Sequence, residues 1–119
     1  MKRLFFAAAA LMSFTLSFAE NDNTSATDNA EIYDMSVNME KLGMVLELND
    51  DQKESVAEIH RTFCAEMMFA THYGKDERDS RVENAIKKDL SYMHYVLSRK
   101  QFKKYATLLN LTLTNRGLK

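Results

Sequence analysis

The stretch LNDDQKESVAEIHRTFCAEMMFA, residues 48–70, decides the fold. Asn49 is a strong N-cap residue, and Gln52 three places on completes a capping box. In that motif each side chain satisfies a backbone N–H that a helix start leaves bare. Asp50 and Asp51 fill the first turn, where the helix dipole favours negative charge. Val56, Ile59, Phe63, Met67 and Ala70 then recur every three or four residues, the period of one helical face. The segment predicts an amphipathic helix that starts at its own capping motif and stops before Gly74.

Working outward, LSRKQ at residues 97–101 has the same layout as LNDDQ: Leu, a capping residue, two charged residues, Gln. It predicts another helix start, followed by Phe102, Tyr105, Leu109 and Leu113. Residues 109–114, LNLTLT, alternate with period two, which is a strand signal. Helix is preferred there, because no other segment offers a strand and a lone strand is not stable. Between the motifs, Ser80 with Glu83 reads as a third capping box, and Val82, Ile86, Leu90, Met93 and Leu97 form its stripe. Gly74 and the charged run 75–79 then make the turn. Upstream, Ile32, Met35, Met39, Leu42 and Leu46 predict a first helix, with Gly43 either ending it early or sitting inside it at a cost of about 1 kcal/mol. There is no proline, and the three glycines fall near segment ends. The expectation is an all-α chain of about four helices in an extended helical hairpin.

A hairpin turning near Asp76 sets Gln52 opposite Lys100, with Asp50 and Asp51 near Arg99 and Lys100. The basic pair suits a helix start poorly, because it sits at the positive end of the dipole. Either the third helix runs on through LSRKQ, or the acidic pair of the first motif compensates the basic pair of the second.

The N-terminus has a different character. Lys2 and Arg3 precede an apolar run over 4–18, and Ser17-Phe18-Ala19 places small residues as a cleavage site requires. This is the anatomy of a secretory signal peptide, 1–19, removed after Ala19. The run is short for a membrane span, which needs about 20 apolar residues. Residues 20–30 are polar and read as a disordered leader, and 31–119 as a single helical domain. The expected location is periplasmic or secreted, in a bacterial envelope. Cys64 is the only cysteine, so no intramolecular disulfide forms, and burial is its expected fate.

Charge is split along the chain. All 17 acidic residues lie at or before Asp89, and only basic charges follow it. The chain stays acidic once Lys2 and Arg3 are removed, which argues against a nucleic-acid partner. No nucleophile elbow, glycine-rich phosphate loop or HExxH motif is present, so neither an enzyme nor a cofactor is expected. His60 and Cys64 stand one turn apart and would suit zinc or copper, but two ligands do not make a site. A buried Cys beside a partly buried His is the simpler reading.

Two segments are apolar nearly all round: residues 63–73 (FCAEMMFATHY) and 92–97 (YMHYVL). Such helices are buried on more than one side or meet a partner. Phe63, Met67, Met68, Phe69, Tyr92, Met93 and Tyr95 are therefore candidates for a client-binding or dimer surface. Arg99, Lys100, Lys103 and Lys104 form a basic face, a solvated one or one that meets anionic lipid or acidic polypeptide.

Taken together, the signal peptide, the Met-rich helical chain and the motif residues Leu48, Asn49, Gln52 and Leu97, Ser98, Gln101 resemble the Spy/CpxP family of small envelope stress proteins. That family carries paired Leu-Thr-x-x-Gln motifs, and Asn49 and Ser98 replace the Thr with other capping residues. The resemblance covers roughly residues 39–110. It implies a four-helix protomer paired into a cradle-like antiparallel homodimer. It also implies binding of unfolded envelope proteins without ATP, restraint of a sensor kinase, or a zinc-responsive role. The chain is shorter than the family pattern, and acidic overall. It also looks like short secreted bacterial proteins of no assigned activity, so a structural or regulatory envelope module stays open.

Overall fold

The computed structural model describes residues 30–119. The expected signal peptide, 1–19, and all of the expected leader except Ala30 lie outside the described residues. A helical turn at 30–32 precedes four helices: α1 (Met39–Leu46), α2 (Asp50–Ala70), α3 (Lys75–Val96) and α4 (Arg99–Asn115). The described residues contain no strand, and 109–114 is helical, with Leu109 and Leu113 turned into the core.

The first helix is shorter than the apolar stripe predicts. Asp34 accepts hydrogen bonds from the Ser36 backbone N–H (3.0 Å) and hydroxyl (2.6 Å), which stabilises a local turn instead of a helix. Asn38 then caps α1 by accepting from the Glu40 and Lys41 N–H groups. Gly43 does not end the helix. The stop comes at Glu47, in the left-handed region with φ 57°. There the Leu48 N–H reaches Gly43 O and the Glu47 N–H reaches Met44 O, the Schellman arrangement usually built around glycine. The end of α4 uses the same device with the residue it favours, Gly117, at φ 75°.

The turn between α2 and α3 is also tighter than expected. It occupies 71–74, Gly74 caps α3, and the charged run belongs to the first turns of that helix. Ser80 therefore lies inside α3 and caps nothing. Asp76 and Glu77 complement the helix dipole, and Lys75–Asp79 (2.8 Å) and Arg81–Glu77 (3.3 Å) pair along the helix surface. These contacts supply the start that Ser80 with Glu83 was expected to make.

α2 and α3 form the long antiparallel hairpin, packed along their length. Val56, Phe63 and Met67 of α2 and Met93 of α3 are completely or almost completely buried. α4 folds back over the hairpin and adds Tyr105, Leu109 and Leu113 to one continuous core. The segment before α1 closes the remaining side. Tyr33 and Met35 enter the core, and the Arg116 guanidinium donates to the carbonyls of Ile32 (3.0 Å) and Asp34. The far end of α4 thus holds the beginning of the described chain.

Candidate functional site

Both glutamine motifs are helix starts, and they meet. In each capping box the Gln Oε1 accepts the N–H of its own cap residue, Asn49 at 3.1 Å and Ser98 at 2.8 Å. The two amides then pair reciprocally. Gln52 Nε2 donates to Gln101 Oε1 (2.8 Å), and Gln101 Nε2 donates to Gln52 Oε1 (3.1 Å). Their remaining donors reach helix ends: Gln52 to Val96 O (3.0 Å), Gln101 to Leu46 O and Glu47 O (3.1 Å each). A helix end leaves its last carbonyls without partners, and here two ends are satisfied by the side chains that open the next helices. The starts of α2 and α4 and the ends of α1 and α3 are tied at one node, with Leu48 and Leu97 buried beside it.

This is a meeting point of the two motifs, but the charged residues do not make it. Asp50, Asp51, Arg99 and Lys100 are all exposed, and among the described residues no ion pair joins the acidic pair to the basic one. α3 also ends before LSRKQ: Leu97 is extended (φ −104°, ψ 151°) and Ser98 caps a new helix. The new start tolerates Arg99 and Lys100 because both face water.

A second polar cluster is buried between the helices. Asp89, only 2% exposed, accepts a hydrogen bond from the Tyr105 hydroxyl through Oδ2, and its Oδ1 has no partner. Burial is the main force pushing its carboxyl up to about 7. The Tyr105 bond opposes that shift and the Glu66 charge adds to it. Burial also raises the Tyr105 phenol well above its ordinary value. The Cys64 thiol is pushed up to about 12, first by burial and then by the charges of Asp34 and Asp89. His60 Nε2 lies 2.9 Å from Met35 O. A carbonyl only accepts, so that nitrogen carries the proton and Nδ1 is left unpaired. Burial lowers the His60 pKa, and the bond to Met35 partly offsets this. His60 and Cys64 are thus an imidazole committed to the backbone and a thiol held protonated. Among the described residues no group of three His, Cys, Asp or Glu side chains converges on a metal position.

The expected partner surface divides. Phe63, Met67 and Met93 belong to the core, because the stripe they sit on faces the other helices. Met68, Phe69, Tyr92 and Tyr95 are exposed, Tyr95 by 83%. Arg99, Lys100, Lys103 and Lys104 are exposed on α4, and Lys104 also donates to Val45 O at 3.3 Å. Beside Tyr92 lies a half-open groove of about 150 Å³ between α2 and α3. Ile59, Phe63, Ala85 and Tyr92 form its apolar walls, and Glu58, Thr62, Glu66 and Lys88 its polar margin. The Lys88–Glu66 pair (2.7 Å) bridges the two helices there, and Asp89 also lines the groove.

Sequence reasoning did not find Asp89 or the groove. The signal was an acid on an apolar face: α3 buries Val82, Ala85, Asp89 and Met93, while Ile86 and Leu90 of the expected stripe are partly buried against the same core. Comparison with protein-family models, curated proteins and solved structures finds no match to this chain. Among the described residues no helix is long and apolar enough to cross a membrane.

Proposed function

We propose that this chain is an exported polypeptide-binding protein, an ATP-independent chaperone or stress accessory of the bacterial envelope, working as a homodimer. The observation that carries the reading is the outer face of the α2–α3 hairpin. Tyr92 stands about half exposed at the wall of a half-open apolar groove, and Phe69 and Tyr95 are exposed elsewhere on the same two helices. Large aromatic side chains left in water beside a concavity are the usual mark of a binding surface. The node and the continuous core give that face a rigid support. The Spy/CpxP resemblance and the signal-peptide pattern supply the compartment and the pairing.

The test is aggregation of a reduced or heat-denatured client protein, followed by light scattering. The chain is expected to suppress scattering near equimolar ratio, and Phe69→Ser combined with Tyr92→Ser to lose most of that effect. No suppression by the parent chain at several-fold excess overturns the reading.

A further inference from the structure

The α2–α3 groove combines two features that do not ordinarily occur together. Its walls are apolar, yet one of its lining residues is a nearly fully buried carboxyl with a free oxygen, Asp89 Oδ1. Glu58 and Glu66 stand at the margin, and the one cation there, Lys88, is already held by Glu66. An acceptor without a donor in a dry place is costly, and a ligand that brings the donor removes that cost.

We propose that the groove takes a lysine side chain from an apolar segment of a bound polypeptide, and that Asp89 is the residue setting this preference. The inference rests on the polypeptide-binding reading and narrows it to basic-apolar segments. An unbranched methylene arm matches the walls of Ile59, Phe63 and Tyr92. Its ammonium supplies the donor that Oδ1 lacks. Lysine fits better than arginine for a geometric reason. A guanidinium binds best across both oxygens of a carboxylate, and Tyr105 already bonds Oδ2, so Oδ1 is the oxygen left without a donor. The incoming ammonium also takes the place of Lys88 beside Glu66. Lys88 is half exposed and moves into water at little cost, as surface pairs are weak. Acidic segments are disfavoured by the same three carboxylates.

The preference is pH-dependent. The titratable groups around Asp89 are Tyr105 from α4, Cys64 and Glu66 from α2, and Lys88 next to it in α3. Burial holds the Tyr105 phenol and the Cys64 thiol protonated near neutrality, and Lys88 is raised by its bond to Glu66. Asp89 is then the member of this set that changes charge around pH 7. A bound cation favours its ionised form, so lysine binding strengthens as pH rises through neutrality.

The experiment uses two fluorescently labelled apolar peptides, identical except for a central lysine or norleucine, titrated with the purified chain and read by anisotropy. The lysine peptide is expected to bind about tenfold more tightly above pH 7, the usual strength of one hydrogen bond to a charged group. That margin is expected to shrink on moving to pH 6. Asp89→Asn is expected to abolish it, with far-UV circular dichroism verifying the fold. Thr62→Lys, an exposed change that puts a competing ammonium at the groove, is expected to abolish it without touching the core. Equal binding of both peptides by the parent chain overturns the lysine preference and leaves the polypeptide reading standing. Failure of both peptides to bind overturns the lysine preference and the polypeptide reading together. A lysine preference that survives Thr62→Lys places the cation elsewhere and overturns the groove.

Discussion

Replacing Asp89 with Asn should reshape the pH dependence of stability. Burial moves this carboxyl from 3.8 to about 7. Between those values the folded chain holds a proton that the unfolded chain has released. Stability contributed by Asp89 therefore falls as pH rises across that window and levels off above it. Each pH unit is worth about 1.36 kcal/mol, so the total is on the order of 4 kcal/mol. That is a large share of the roughly 5–15 kcal/mol that stabilises a small domain. His60 acts in the opposite sense. Its pKa is lowered from 6.5, so its contribution is lost as pH falls below that value, and the two slopes partly cancel in the parent chain. The difference between variant and parent removes the His60 term. Urea unfolding followed by far-UV circular dichroism, repeated from about pH 4 to pH 8, gives that difference directly. Asp89→Asn should gain on the parent by about 4 kcal/mol over that range. It should be no better than the parent at the acid end, where an Asn brings two buried donors of its own. A difference that stays flat with pH would refute an ionisable buried Asp89.

Three further outcomes follow from the same geometry. Gln52→Ala and Gln101→Ala should each cost about 2–3 kcal/mol in urea unfolding, because each leaves its partner amide and a helix-end carbonyl unpaired. The double variant should cost clearly less than their sum, and additive losses would show that the amide pair is not a unit. Glu47→Gly should stabilise by about 1 kcal/mol, because it relieves an L-residue held at positive φ, and its carbonyl still accepts from Gln101. A melt showing a loss instead would mean that the glutamate side chain matters more than the backbone. Cys64 should react slowly with a thiol reagent at pH 8 in the folded chain and fast in denaturant, since its thiol stays protonated up to about 12. Cys64 is partly buried, short of the full burial expected of it, and equal rates in both states would contradict even that protection.

The helices were readable because their signals are local. A capping box needs four consecutive residues, and Asn49–Gln52 and Ser98–Gln101 were recognisable on that scale. Failures came where local signals compete. Ser80–Glu83 has the right letters for a cap, but Gly74 and the acids after it start α3 earlier. Met39 and Leu42 continue an apolar stripe from Ile32, but the Asp34–Ser36 turn breaks it. Of the apolar candidates, Met67 and Met68 are neighbours in sequence, and one is fully buried while the other is exposed. Their place on the helical period separates them, with Met67 on the stripe of Val56 and Phe63 and Met68 one position off it.

By itself, then, the sequence determined an all-helical chain, the two motif-bearing helix starts and the polarity of each helix surface, since these depend on residues within a turn or two of each other. The tertiary structure decided that the motif glutamines bond to each other, 49 residues apart. It decided that Asp89 is buried against Tyr105 and lines a groove. Those outcomes depend on the register and crossing of helices. Register is set by the summed packing of α2, α3 and α4, and no short stretch of residues encodes it.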